Sequence, residues 1–148
     1  MEMIVVDKLL PEDRPVWEEL FRAYMDFYGR DEPQEMYDRA WREFEKDDTL
    51  HALGARLDGQ LIAIAHFLVH PGTSGPDFCY LEDLFTAAAS RGQGAASSLI
   101  LAVKEWARTR GCGELYWQTH ESNGTARRLY DEIAENRGFI VYEMQLQP

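Results

Sequence analysis

One short segment, Arg91-Gly92-Gln93-Gly94-Ala95-Ala96, limits what this chain can fold into more than any other. Before it, Phe78–Thr86 reads as a long strand. After it, Ala96, Leu99, Ile100, Val103 and Ala107 fall on one face of a helix that ends near Gly111. A glycine-rich turn from strand to helix is an α/β step. The glycines allow a tight turn and remove side chains that would block an approaching ligand. The first amides of the following helix are unpaired and carry the positive end of its dipole, which suits an anion such as a pyrophosphate, with the cation of Arg91 beside it. Two other phosphate loops are excluded. No Gly-x-x-x-x-Gly-Lys-Ser/Thr occurs, and of the dinucleotide fingerprint only Gly92 and Gly94 are present, with no β-α unit opening the chain.

The rest of the chain supplies a sheet for that step. Met3–Val6 suits a first strand. Asp13 and Pro15 mark a helix start, as cap and early proline, and Trp17, Leu20, Phe21, Tyr24 and Tyr28 follow at helical spacing up to Gly29. Tyr37, Trp41 and Phe44 repeat the pattern in a second helix between Gln34 and Lys46. Leu50–Arg56 and Leu61–Val69 read as strands joined by the hairpin signal Asp58-Gly59, and Pro71–Pro76 is a loop. Glu114–Thr119 is a further strand. Ala126, Leu129, Tyr130 and Ile133 define a last helix, and Phe139–Leu146 after Gly138 a last strand. The order β-αα-βββ-α-β-α-β predicts an α/β fold with a mixed, largely antiparallel sheet flanked by helices. A length of 148 residues suits a single domain over 1–148.

Charge narrows the function. A formal net charge of -11 argues against nucleic acid as a partner and favours cationic or amine-bearing ones. Residues 1–48 hold 15 Asp and Glu against 7 Lys and Arg, while residues 49–148 hold 11 against 8. The acidic surface therefore belongs to the first part, and the second can receive an anionic ligand, although two solvated acidic helices give the same numbers. No apolar run reaches the roughly 18–20 residues of a membrane span, and Met1–Leu10 lacks the basic start of a signal peptide, so no membrane partner is expected. Cys79 and Cys112 are too few for a disulfide scaffold, lack metal-ligand spacing and point to a reducing, cytoplasmic setting.

The position and spelling of the glycine loop resemble the GNAT superfamily of acyl-CoA N-acetyltransferases. Its signature Gln/Arg-x-x-Gly-x-Gly/Ala is met by Arg91, Gly94 and Ala96, with the frequent extra glycine at Gly92. A second match, Asn123-x-x-Ala126-x-x-Leu129-Tyr130 followed by Gly138-Phe139, stands about thirty residues further on and opens the expected helix. The element order is also the family's order. Two departures are visible: Ala88 stands where a proline is common, and the stretch from Tyr130 to Gly138 is longer than the usual form by about one helical turn, which bears on the rim of the acceptor pocket.

The resemblance implies a site for acetyl-CoA as co-substrate, with no metal. By it, Arg91, Gly92, Gln93, Gly94, Ala95, Ala96 and Ser97 hold the pyrophosphate, and Leu84, Phe85 and Thr86 pair with the pantetheine arm. The adjacent strand Glu114–Thr119 splays away to leave a slot. Asn123 caps the last helix, contacts the pantetheine arm, or does both. Tyr130 shares a helical face with Ala126, Leu129 and Ile133, as a core tyrosine does; the resemblance implies instead that it protonates the departing thiolate.

Glu82 and Asp83 interrupt an otherwise apolar strand, and alternation puts them on opposite faces. A carboxylate in a buried strand costs free energy unless it is paired or functional. Leu81-Glu82-Asp83-x-Phe85 looks like the diamine and polyamine acetyltransferase branch, where the matching glutamate helps deprotonate the acceptor. Glu82 is thus either a base or ammonium anchor, or the structural partner of an arginine; Asp83 is an acceptor contact or a structural group. Tyr24, Phe27 and Tyr28 close the first helix, which in the family walls the acceptor pocket together with the strand carrying Trp117 and Gln118. Their rings either hold an alkylammonium by cation–π contact or pack in the core. His51, His66, His70 and His120 show no metal-ligand spacing and read as structural or exposed, and Ser97 and Ser98 form no nucleophile elbow.

The expectation is an N-acetyltransferase that moves an acetyl group from acetyl-CoA to the primary amine of a small molecule (a polyamine, diamine or amino-acid-like compound) by direct attack. The family often dimerises, and the C-terminal strand offers an edge for a homodimer. Acetylation of a protein lysine or N-terminus is the alternative within the enzyme class. A non-catalytic acyl-CoA-binding module is the alternative outside it, against which the intact Glu82 and Tyr130 argue.

Overall fold

The computed structural model of the chain describes residues 3–147 and divides into two units, one ending at Trp117 and the other beginning at Gln118. In the first unit the strands β1 (Ile4–Lys8), β2 (Leu50–Leu57), β3 (Gln60–His70), β4 (Phe78–Thr86) and β5 (Glu114–Tyr116) form one sheet in that order. The first four run antiparallel and β5 lies parallel to β4, so the sheet is mixed and largely antiparallel. The β2–β3 hairpin turns on Asp58 and Gly59, with φ of 52° and 77°; both central residues are left-handed, as the two-residue turn that matches strand twist requires. β1 extends past its apolar run because Asp7 and Lys8 still pair with Gly54 and Leu53.

Two helices, α1 (Arg14–Phe27) and α2 (Gln34–Lys46), cover one face of this sheet, and α3 (Ala95–Thr109) covers the other. Neighbouring β3 residues show the division, since successive side chains of a strand point to opposite faces. His66 meets Trp17, Phe21 and Phe44 of α1 and α2, whereas Phe67 lies 4.8 Å, ring to ring, from Trp106 of α3. Trp17, Leu20, Phe21 and Met25 of α1 are buried with Tyr37 and Trp41 of α2 against Leu61 and Ile64. On the other face Leu99, Ile100, Val103 and Ala107 of α3 are buried. Fully burying a large apolar side chain is worth about 1.5–3 kcal/mol, and this anchors α3 so that its first turn stays fixed at the end of β4.

Asp13 does not cap α1, contrary to expectation. Its carboxylate accepts the Leu10 N–H at 2.6 Å and binds the Arg56 guanidinium of β2 with both oxygens. A charged, bidentate partner in a buried position outcompetes a helix amide. Among the described residues no helix is long and apolar enough to cross a membrane.

In the second unit α4 (Gly124–Ile133) is capped by Asn123, whose side-chain oxygen accepts the Ala126 N–H at 3.4 Å. No residue of α4 is fully buried, and Tyr130 is half-buried rather than a core tyrosine. The strand expected over Phe139–Leu146 does not form: residues 135–147 adopt neither helix nor strand, and Phe139 and Tyr142 are 82% and 88% exposed. Apolar alternation there supplies β-propensity, but a strand exists only where a ladder partner takes up its N–H and C=O groups.

Candidate active site

β4 and β5 pair from Phe78 opposite Glu114 to Tyr80 opposite Tyr116 and no further. From Leu81 to Thr86, β4 keeps β3 on one edge and has no strand on the other among the described residues. Such an edge offers a row of free N–H and C=O groups to an extended ligand. Where β4 ends, the Ala87 N–H donates to Ile62 O at 2.8 Å, and a short 3-10 turn over Ala88–Ser90 leads into the glycine loop. Gly92 and Gly94 have φ of 81° and 87°, and a Cβ at either would meet no atom within 4 Å. Glycine is therefore required for backbone conformation, and open space lies around the loop. No side chain caps α3, whose first internal bond runs from Ser98 N–H to Gly94 O at 3.0 Å, so the amides of Ala95, Ala96 and Ser97 are left to a ligand. Arg91 folds back over β4: its Nε–H donates to Thr86 O at 3.4 Å, and its guanidinium lies 5.6 Å from the Phe85 ring centre. The fit is to a ligand with an anionic head and an extended polar arm. Among the described residues no group of His, Cys, Asp or Glu is placed to hold a metal ion.

The acceptor side begins at a β-bulge. His66 of β3 stands opposite Asp83 and Phe67 opposite Leu81, so Glu82 is an extra residue without a partner across the ladder. The simple alternation that put Glu82 and Asp83 on opposite faces breaks at this point. Both carboxylates have Tyr80 as a neighbour: burial pushes its phenol up, and the charges of Glu82 and Asp83 push it further. Glu82 is exposed at the residue level, yet lost hydration of its carboxyl raises the pKa and Asp83 raises it further. Among the described residues no arginine or lysine pairs with Glu82 or Asp83, which removes the reading of Glu82 as an arginine's structural partner.

Tyr24, at the C-terminal end of α1, joins this group. Its ring lies 5.0 Å from that of Tyr28 and 5.8 Å from that of Phe85. Burial and then the Asp83 charge hold this phenol well above the ordinary tyrosine range, so it stays protonated. Phe27 is largely exposed and takes no part in core packing.

The sequence reading missed the group behind Asp83. His66 is fully buried, its Nδ1 lies 2.9 Å from Asp83 Oδ2, and its Nε2 accepts the Trp17 Nε1–H at 3.0 Å. A histidine midway along an otherwise apolar buried strand was the one signal available. Of the remaining expected residues, Trp117 follows the end of β5 and Gln118 opens the second unit, so neither is carried on a strand. Asn123 and Tyr130 belong to the second unit, at the cap and within α4. Burial pushes the Cys79 thiol up to about 12 and raises Cys112 as well, which leaves neither as a ready nucleophile.

Comparison with known proteins agrees with this geometry. The acetyltransferase (GNAT) family matches residues 17–134. The chain is 28% identical over 147 residues to the D-amino-acid N-acetyltransferase HPA3 of Saccharomyces cerevisiae, covering 96% of this chain and 91% of that protein. It is 33% identical over 96 residues to an aminoglycoside N(6')-acetyltransferase type 1 of Serratia marcescens, covering 61% of this chain and 66% of that protein. Its fold superposes on that of the aminoglycoside N-acetyltransferase AAC(6')-Iy solved in complex with CoA, with a TM-score of 0.84 over 99% of this chain and 97% of the other at 19% identity. A family match of this extent establishes membership: the chain belongs to the acetyltransferase (GNAT) family and is an acetyl-CoA-dependent acyltransferase.

Proposed function

We propose that the acceptor is the primary amine of a small, cationic molecule. The observation that carries this reading is the group of Glu82, Asp83, Tyr24 and Tyr28, in which two carboxylates sit near aromatic rings and no lysine or arginine among the described residues pairs with them. Such a group attracts an ammonium ion by charge and holds it by cation–π contact. The yeast and Serratia relatives are named for D-amino acids and aminoglycosides, both of which carry primary amines, and diamines and polyamines belong to the same chemical class. We also read the two units as one acetyltransferase domain, since the family match runs through both.

In this reading Arg91 and the amides of Ala95–Ser97 hold the pyrophosphate of acetyl-CoA, and the free edge of Leu84–Thr86 pairs with its pantetheine arm. Glu82 takes a proton from the bound ammonium, which frees the nitrogen lone pair. The nitrogen then attacks the acetyl carbonyl carbon, forming the N–C bond, and an N–H of the β4 edge stabilises the oxyanion. As the carbonyl re-forms and the C–S bond breaks, the Tyr130 phenol gives a proton to the thiolate, the nitrogen loses its second proton to the tyrosinate, restoring the phenol, and Glu82 releases its own proton to solvent. Free-thiol release from acetyl-CoA, measured with 1,4-diaminobutane, a D-amino acid, neamine and a lysine-rich peptide, tests the proposal. Fastest turnover with one of the small amines is expected. Preference for the peptide overturns the small-molecule reading.

A further inference from the structure

We propose that His66 is a positioning residue, which, locked in one tautomer by Trp17, holds the Asp83 carboxylate in place to bind the acceptor's ammonium. The inference deepens the amine-acceptor reading above and rests on it. Indole nitrogen can only donate a hydrogen bond, so the Trp17 Nε1–H at 3.0 Å requires an unprotonated His66 Nε2. The ring proton is therefore on Nδ1, and it is donated to Asp83 Oδ2 at 2.9 Å. A second proton at Nε2 would face the indole N–H directly. His66 thus acts on Asp83 as a fixed donor rather than as a base.

The ring cannot turn to any other partner. It is fully buried, stacked on Phe44 at 4.3 Å and met edge-on by Phe21 at 4.8 Å, and Trp17 itself has no exposed surface. Packing alone would be served by an apolar side chain, whereas an imidazole there must satisfy two polar nitrogens. His66 also stands opposite Asp83 at the bulge, where the β4 ladder is least regular and a carboxylate would otherwise be free to move. His66 thus bonds one Asp83 oxygen and orients the carboxylate from β3.

Two substitutions separate the bonds of the ring. His66→Asn places an amide N–H near the position of Nδ1 and keeps a donor for Asp83. His66→Gln places a carbonyl near the position of Nε2, keeping an acceptor for Trp17 but losing the Asp83 donor. Loss of a hydrogen bond to a charged group corresponds to roughly a tenfold effect or more. The expected result is a rise of about tenfold in KM for the amine in His66→Gln, recovery of most of it in His66→Asn, and an unchanged KM for acetyl-CoA in both. Equal amine KM in both variants and the parent, or an equal rise for acetyl-CoA, overturns the proposal. If the variants do not fold, imidazole 15N spectra of the parent decide the matter. Nδ1 should be the protonated nitrogen, and its resonance should move when the best of 1,4-diaminobutane, the D-amino acid and neamine is added; a proton on Nε2, or a resonance indifferent to the amine, rejects it. A parent that acetylates none of these amines removes the acceptor reading and this inference together, whereas an active parent with an unaffected His66→Gln removes the inference alone.

Discussion

Tyr80 and Tyr116 form the last rung between β4 and β5, their ring centres 4.9 Å apart, and β5 ends there while β4 continues. The Tyr116 hydroxyl is tied to His70 Nε2 at 2.7 Å, and the His70 ring stacks on Phe78, so this end of β5 is braced from β3 as well. The end of β5 divides β4 by its pairing. Before it, Phe78–Tyr80 is paired on both edges; after it come the bulge at Glu82 and the open edge of Leu84–Thr86, followed by the short turn into the glycine loop. Acceptor and cofactor contacts can then lie along one continuous stretch of backbone.

The glycine loop gives the first prediction. Gly94 has a left-handed φ of 87° and open space around it, so the effect of a substitution comes from backbone strain and from charge, not from a clash. Gly94→Asp should raise the KM for acetyl-CoA by about tenfold or more, because a carboxylate would stand where the helix dipole receives phosphate. Gly94→Asn, which tolerates this conformation better than most residues and adds no charge, should raise it less. Steady-state kinetics with varied acetyl-CoA checks both, and equal KM values for the parent and Gly94→Asp would reduce the loop to a turn.

Tyr130 gives the second. Its phenol stands in α4 and is half-buried. Tyr130→Phe keeps the ring and removes only the hydroxyl, so kcat should fall by about 10²–10⁴-fold with acetyl-CoA binding retained. Isothermal titration with CoA alongside turnover separates the two effects. A preserved kcat would assign thiolate protonation to water or another group.

What could be read beforehand was local. Asp58-Gly59 specified its turn by backbone conformation, and the aromatic spacing of Tyr37, Trp41 and Phe44 delimited α2 at Gln34–Lys46, as observed. The loop from Arg91 to Ala96 was legible for the same reason, since positive φ at Gly92 and Gly94 is encoded at those positions. What escaped was relational. The bulge at Glu82 depends on how β4 registers against β3, and the Trp17–His66–Asp83 chain links residues 49 and 17 positions apart. Phe139–Leu146 shows the reverse error: its pattern suits a strand, but pattern cannot supply a neighbour.

A third prediction concerns stability. Hydrogen bonds from Arg56 hold the Asp13 carboxyl below its ordinary value of 3.8, with burial acting against them. On acidification the unfolded chain therefore takes up this proton first. The stabilisation is complete above the unfolded value and is lost as pH falls through the folded one. Asp13→Asn should cost about 1.5–3 kcal/mol at neutral pH, since Arg56 would keep as a full ionic partner only the exposed Asp7 at 3.2 Å. It should also flatten the decline of Tm as pH falls below roughly 4. Melting curves of the two proteins across that range test this, and curves that superpose would show the ion pair to be neutral in the balance.

The last prediction tests Glu82 as the base. Lost hydration and the charge of Asp83 both favour its protonated form, so its pKa lies above the ordinary carboxylate value. Because a base must be unprotonated to act, kcat/KM for the amine should fall on the acid side at a higher pH than an ordinary carboxylate would give. Asp83→Asn removes the repulsion, and the acid limb should move to lower pH even as amine affinity drops. Glu82→Gln should abolish that limb and lower the rate at neutral pH by about 10²–10⁴-fold. Raising the pH should restore part of the loss, since more of the amine then arrives already deprotonated. Tm should barely change, because no arginine or lysine among the described residues depends on Glu82. Profiles measured with one amine for parent and both variants decide the assignment: if the Glu82→Gln curve runs parallel to the parent's, the proton leaves by another route.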